Sequence, residues 1–149
     1  MTEKADWRVR LGMGLLAVPQ LITGVWAVVD PHGWFTGFPG FGTRLVVAAG
    51  PAFNDHLATD AGVGFLATGV GLVAAVVIAK RSAAQVALLT YLTFAVAHFV
   101  FHLAHPVGSF GSSTNIENLA STGVAVLFPL LLCLWAFRKQ AGVPPSSQI

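Results

Sequence analysis

The stretch YLTFAVAHFVFHLAH, residues 91–105, decides the fold of this chain because three histidines recur in it at the end of a long apolar run. At about 100° per residue, His98, His102 and His105 share one face of a helix. The run covers residues 83–103, which is long enough to cross a bilayer core of about 30 Å. Ionisable side chains at that depth are costly and usually mark functional sites. The stretch therefore predicts a membrane helix that carries a site.

The composition predicts a membrane protein. Of the 149 residues, 55% are hydrophobic and only 9% are charged, which is too little polar surface for a soluble globule of this size. Basic residues are grouped at segment ends and form no stripe of the kind that binds nucleic acid, so the expected surroundings are a lipid bilayer and no nucleic acid. The one cysteine, Cys133, excludes a disulfide within the chain and a metal site built from several thiolates.

Four apolar runs have the length of a membrane helix. They cover residues 11–29, 57–79, 83–103 and 119–137. The expected fold is all-α, a membrane-embedded four-helix bundle that forms a single membrane domain over residues 1–149. A loop of residues 30–55 follows the first run, and residues 142–149 are expected to be a disordered tail.

The basic residues predict the orientation of the bundle. Lys4, Arg8 and Arg10 precede the first run, Lys80 and Arg81 join the second and third, Arg138 and Lys139 follow the fourth, and the two opposite loops carry only Arg44. By the positive-inside rule, both termini are expected in the cytoplasm. We expect a multi-pass protein of a bacterial-type plasma (inner) membrane.

The loop of residues 30–55 interleaves aromatic residues with glycine and proline between Trp34 and Phe41. This pattern is typical of a non-helical segment that anchors in the headgroup region. The functional alternative is a cover over an outward-facing cavity. After the second loop, the pattern Thr114-x-x-Glu117 predicts a capping box at the start of the fourth helix.

The second run carries small residues at helical spacing. His56 and Asp60 continue into a stripe of Gly64, Ala67 and Gly71, and small residues let membrane helices approach closely. The sequence therefore predicts that this stripe is a packed face. Because the turn at residues 80–82 is short, the second and third runs are expected to be antiparallel neighbours, with the two ionisable stripes facing each other.

The candidate site combines two pairs at i, i+4 spacing. A helix presents such a pair toward one point, so His98 with His102 and His56 with Asp60 could supply four ligands to Zn, Cu, Fe or Mn. The possible additional ligands or supporting residues are His105, Glu117, Asp55, Asn115, Asn118 and Gln20. Alternatively, His56 with His98 or His102 could ligate haem b axially.

Two classes of function fit these residues. The first is binding of a transition metal or haem for a redox or hydrolytic role, with an enzyme activity left open. The second is a non-enzymatic accessory subunit, or a small-ligand or proton-coupled carrier with no cofactor. Glycine-rich faces also suit a homo-oligomer or a partner within a membrane complex.

Two sets of residues carry a resemblance to known families. The start of the first run, residues 8–12 (RVRLG), the aromatic loop after it and the acidic residue early in the second run resemble the DoxX-like group of bacterial membrane proteins. More closely, residues 54–60 (NDHLATD) with residues 98–102 (HFVFH) are similar to short actinobacterial-type integral membrane proteins. The first resemblance implies four spans and, for some members, thiol or quinone redox chemistry. A dithiol mechanism needs two cysteines, and Cys133 is the one cysteine in this sequence.

Overall fold

The computed structural model describes residues 3–39, 52–107 and 111–138, and these residues form five helices in the order α1 to α5. The helices are α1 (Trp7–Val29), α2 (Pro31–Gly37), α3 (Asp55–Ile78), α4 (Arg81–Ala104) and α5 (Ser112–Phe137). All but α2 are long and apolar enough to cross a membrane, which confirms the all-α prediction and its four apolar helices. The predicted tail of residues 142–149 and much of the 30–55 loop lie outside the described residues.

The turn between α3 and α4 confirms that these helices are antiparallel neighbours. Ala79 follows α3 in the left-handed conformation with φ 55°, and Lys80 precedes α4 in an extended conformation. The left-handed residue ends the first helix and reverses the chain within two residues. At the other end of α3, Asn54 caps the helix by accepting a hydrogen bond from the backbone N–H of Leu57 at 3.1 Å.

The short helix α2 contradicts the prediction of a non-helical segment after the first run. The side chain of Asp30 accepts a hydrogen bond from the Gly33 backbone N–H at 2.9 Å, and Pro31 occupies the first helical position. Both features favour a helix start. A Cβ atom at Gly33 would collide with the Asp30 carboxylate, so the glycine there permits the cap. Trp34 is buried, packed against α1 and α3.

The capping-box prediction for the fourth helix is wrong. Helix α5 already begins at Ser112, after Gly111, so Thr114 and Glu117 lie inside it. The start of α5 is held to the end of α4 by Asn115. Its side chain accepts from the Val107 N–H at 3.1 Å and donates to the Val107 carbonyl at 3.0 Å. These two hydrogen bonds join α5 to the segment that follows α4.

The long helices alternate in direction, and α1 packs closely on α3. The two helices approach at Gly24 and Gly62: a Cβ at Gly24 would lie 2.7 Å from the Leu66 backbone nitrogen, and one at Gly62 would lie 3.0 Å from the Val28 backbone nitrogen. Only residues without a side chain permit that separation of two backbones.

The stripe predicted to be the packed face of α3 is instead exposed. Gly64 and Gly71 have open space where a Cβ would lie, and Ala67 between them is exposed. The face that packs on α1 is the other small-residue face, which includes Ala58, Gly62, Gly69, Leu72 and Ala75. The helix is therefore rotated about its axis relative to the expectation, and His56 and Asp60 turn outward with the exposed stripe.

The bundle has two chemically different ends. We call residues 3–10, 79–82 and 135–138 the basic end, and α2 with residues 52–60, 98–107 and 111–118 the histidine end. The larger core lies toward the basic end and combines side chains from all four long helices, such as Met13, Leu72, Leu88 and Cys133. The lateral surface is apolar, as exposed Leu11, Leu15, Val18 and Ile22 on α1 illustrate.

Candidate functional site

The best-defined polar cluster is the histidine pair on α4. His98 and His102 are one helical turn apart, and their Nε2 atoms lie 3.2 Å from each other. Their ring centroids are 4.5 Å apart, and the ring planes are nearly perpendicular at 86°. Helix geometry alone brings residues at this spacing together, so the pair follows directly from the sequence.

Asn118 of α5 fixes the orientation of His102. Its side-chain Nδ2 lies 3.1 Å from Nδ1 of His102, and the asparagine is only 8% exposed. Because an amide nitrogen donates and cannot accept, Nδ1 of His102 is the acceptor and the ring proton lies on Nε2. That proton points to Nε2 of His98. The three side chains thus form one directed hydrogen-bond chain across the α4–α5 interface.

Aromatic rings connect this cluster to α2. Phe94 stacks on His98 with centroids 5.5 Å apart and an interplanar angle of 13°. Phe65 of α3 contacts Phe94 edge to face at 5.4 Å, and Trp34 of α2 contacts Phe65 at 6.4 Å. Trp34 is therefore connected to His98 through the rings of Phe65 and Phe94.

A cavity of about 130 Å³ opens beside His102, between the end of α4 and the start of α5. Its polar lining is His102, Asn115 and Asn118, and its apolar lining includes Pro106 and Leu119. Its volume corresponds to about four water molecules of the bulk liquid. A small ligand or water can therefore approach the cluster from this side.

His56 and Asp60 form a second, separate pair. Their side chains approach to 3.4 Å, and they are 81% and 61% exposed. Within the part of the chain that the structure describes, no three side chains of His, Cys, Asp or Glu are grouped closely enough to hold a metal ion. A single chain thus presents two pairs of ligand-type residues and does not assemble the predicted set of four in its described residues.

The additional candidates lie in four different settings. His105 turns back on its own helix, where Nδ1 lies 2.9 Å from the Phe101 carbonyl oxygen. Asp55 accepts a hydrogen bond from the backbone N–H of His56 at 2.8 Å. Glu117 is exposed on α5. Gln20 is buried on α1, far down the bundle, where its side chain meets Tyr91.

Asn115, one of the supporting residues predicted from the sequence, lines the cavity and bonds to the backbone of Val107. One further residue at the histidine end was not predicted as part of the candidate site. His32 on α2 packs edge to face on Phe53, with centroids 5.0 Å apart. No spacing in the sequence relates His32 to Phe53.

The chemical capacity of the site follows from these distances. One imidazole pair shares a proton, an asparagine orients it, and a small polar cavity gives access to it. Such a pair can exchange a proton or, once that proton is displaced, present two nitrogen lone pairs to one cation. Comparisons with protein-family models, with curated proteins and with solved structures found no match for this chain.

Proposed function

We propose that this chain is a multi-pass protein of a bacterial-type plasma membrane whose His98–His102 pair binds a transition-metal ion. The four long apolar helices and the apolar lateral surface support membrane embedding. The collection of lysines and arginines at the basic end supports cytoplasmic termini. The histidine end then faces the outer side of the membrane.

The observation that carries the metal proposal is the 3.2 Å separation of the two Nε2 atoms. Two nitrogens bound to one tetrahedral ion at about 2.0–2.1 Å are about 3.3 Å apart. The pair is therefore already spaced for neighbouring positions on one ion. Pre-formed spacing lowers the cost of ordering the ligands when the ion binds.

Binding requires a change of tautomer at His102. His98 and His102 would hold the ion through their Nε2 atoms, so the proton of His102 would have to lie on Nδ1, where the side-chain oxygen of Asn118 could accept a hydrogen bond from it. A ligating imidazole that donates its other N–H to a fixed acceptor is the usual arrangement in metal sites. Asn118 is thus a positioning residue for His102.

The ligand chemistry favours a metal ion over haem. Imidazole suits Zn, Cu and Fe, and two protein ligands leave positions for water or substrate, as hydrolytic or redox chemistry requires. Axial ligands of haem b lie on opposite faces of the ring. Nitrogens 3.2 Å apart on one helix cannot take those positions, and His56, the predicted opposite ligand, is paired with Asp60 on the exposed face of α3.

A second candidate function is favoured by the hydrogen-bond chain itself. Asn118, His102 and His98 are joined in series, which is an arrangement that can relay a proton without any metal. This is the proton-coupled carrier. In that case the cavity beside His102 admits the transported species or water.

The experiment is metal analysis of protein purified in mild detergent without a His tag or chelator. We expect near-stoichiometric metal in the wild-type protein, or tight uptake of added Zn²⁺ or Cu²⁺, and loss of both in His98→Ala and His102→Ala. His105→Ala is the matched control, because it removes the imidazole at the end of the same helix that contacts the Phe101 carbonyl and is not part of the pair. An absorption spectrum from about 350 to 700 nm tests for haem in the same samples.

The folded state of each variant is checked by labelling Cys133. This single cysteine is buried, so a maleimide dye reacts with it only when the bundle opens, and its melting curve reports unfolding. Protein that carries no metal and takes up none contradicts the metal proposal and favours the proton carrier. Equal loss of metal in His105→Ala would also contradict the metal proposal. That result would show that binding depends on the end of α4 as a whole and not on the His98–His102 pair.

A further inference from the structure

The basic end of the bundle contains a cavity of about 180 Å³ that the histidine site does not involve. Its floor is apolar and consists of Val9, Ala84 and Ala136. Its charged lining consists of Lys4, Asp6, Arg81 and Arg138, so basic side chains outnumber acidic ones there by three to one. The volume is that of about six water molecules.

Two guanidinium groups lie near the indole ring of Trp135, which lines this cavity. The guanidinium carbon of Arg8 lies 5.2 Å from the centroid of the Trp135 ring, and that of Arg138 lies 5.9 Å from it. Cation–π contact holds both groups at fixed positions. Both groups are positively charged, so an anion that contacts them stabilises the arrangement.

The acidic side chains at this end are already engaged. Glu3 pairs with Arg81, which also donates from Nε to the Ala136 carbonyl at 2.8 Å. Asp6 accepts from the backbone N–H of Arg8 at 2.8 Å and caps α1. Among the described residues, no carboxylate forms an ion pair with Lys4, Arg8 or Arg138.

The depth of the cavity identifies the source of the anion. Trp7 and Trp135 are 65% and 41% exposed at the same end of the bundle, in the position of tryptophans at a membrane interface. Next to these tryptophans, the exposed side chains of Leu11 on α1 and Leu134 on α5 form part of the apolar lateral surface. A cation site at the boundary between headgroups and an apolar helix surface suits a lipid, whose phosphate and acyl chains meet both parts.

We propose that Arg8, Arg138 and Lys4 bind the phosphate of an anionic phospholipid headgroup beside Trp135. The guanidinium groups donate to the phosphate oxygens, and Lys4 adds a third positive charge from the cavity rim. This proposal rests on the membrane placement proposed above and is independent of the metal site.

The test is native mass spectrometry of the detergent-purified full chain, titrated with phosphatidylglycerol and, separately, with phosphatidylcholine. We expect tighter binding of phosphatidylglycerol to the wild-type protein. Arg8→Gln and Arg138→Gln should each weaken it by about fivefold, the effect of one basic side chain near a membrane surface. Lys80→Gln is the matched control, because Lys80 is exposed at the same end, whereas Arg138 and Lys4 line the cavity and Arg8 contacts its Trp135 ring.

Three results would overturn the proposal. Equal binding of the two lipids shows that the site does not recognise anionic charge. An equal loss in Lys80→Gln shows a diffuse basic surface without a specific site. Displacement of the lipid by millimolar inorganic phosphate shows a site for free phosphate. A protein without metal but with this lipid preference would refute the metal proposal alone, because the two sites lie at opposite ends of the bundle.

Discussion

Asn118 on α5 contacts His102 on α4 through a 3.1 Å hydrogen bond to Nδ1, so the orientation of the imidazole depends on the packing of two helices. The bond joins the candidate site to the fold, because Asn118 is buried in the α4–α5 interface. It also determines which nitrogen of His102 carries the proton. Substitutions at Asn118 therefore test the proposed site without removing a ligand.

We predict opposite effects of Asn118→Leu and Asn118→Asp on metal affinity. Leucine removes the orienting group and should weaken Zn²⁺ binding by about 10- to 100-fold, the usual effect of losing such a partner. Aspartate offers a fixed acceptor for the Nδ1–H tautomer and should strengthen binding relative to leucine and to wild type. The affinities are measured by competition with a chelating dye. Unchanged affinity in Asn118→Leu would show that Asn118 does not position a metal ligand.

The outer pair on α3 provides the second prediction. Because His56 and Asp60 are exposed and separate from the α4 pair, His56→Ala and Asp60→Asn should leave Zn²⁺ affinity within about twofold of wild type, as expected for independent sites. The same competition titration measures this. A large loss in either variant would mean that both pairs bind one ion, for instance across two copies of the chain.

The sequence predicted the α4 pair but not its relation to α3, and the reason is geometric. Residues at i, i+4 meet because the helix itself sets their separation, so His98 and His102 needed no tertiary information. Whether Asp60 faces His98 depends on the rotation of α3 about its axis, which packing against α1 decides. Apolar length likewise predicted the four long helices. It could not predict α2, which depends on the Asp30 cap, or the start of α5, where Asn115 bonds to Val107.

The glycines of α3 show why its rotation was misjudged, and they supply the third prediction. Small residues occur on two faces of this helix, so the sequence alone does not show which face packs on α1. Gly62→Ala should destabilise the protein by about 1–3 kcal/mol, because the added methyl meets the α1 backbone at Val28. Gly64→Ala is the control with open space at its Cβ and should be neutral or slightly stabilising. The melting curve from Cys133 labelling distinguishes them, and equal shifts would refute this packing.

Asn115 gives a fourth prediction that separates loop geometry from metal binding. Asn115→Ala removes the two hydrogen bonds to Val107 that join the end of α4 to the start of α5. We expect a loss of about 1–2 kcal/mol of stability, since part-buried backbone groups of Val107 lose their partner. Zn²⁺ affinity should fall less than in Asn118→Leu, because Asn118 is the residue whose amide lies 3.1 Å from Nδ1 of His102. The reverse order of the two affinities would contradict the assigned role of Asn118.

Arg81 provides the last prediction, at the opposite end of the bundle. Its guanidinium connects three segments: Nε donates to the Ala136 carbonyl at 2.8 Å, and its other nitrogens contact Glu3 and the Arg138 carbonyl. A lysine cannot span these acceptors because its single ammonium lacks the planar fork of donors. Arg81→Lys should therefore cost about 2 kcal/mol although the charge is kept.

Cys133 labelling measures this effect directly, since the cysteine belongs to the core near the basic end. In Arg81→Lys we expect a lower melting temperature and faster maleimide labelling under native conditions, because α5 separates more readily from α4 at this end. Lys80→Gln removes a neighbouring charge that makes no hydrogen bond or ion pair in the described structure, and it should change neither quantity. If Arg81→Lys labels no faster than Lys80→Gln, the guanidinium contacts of Arg81 do not hold the helices together.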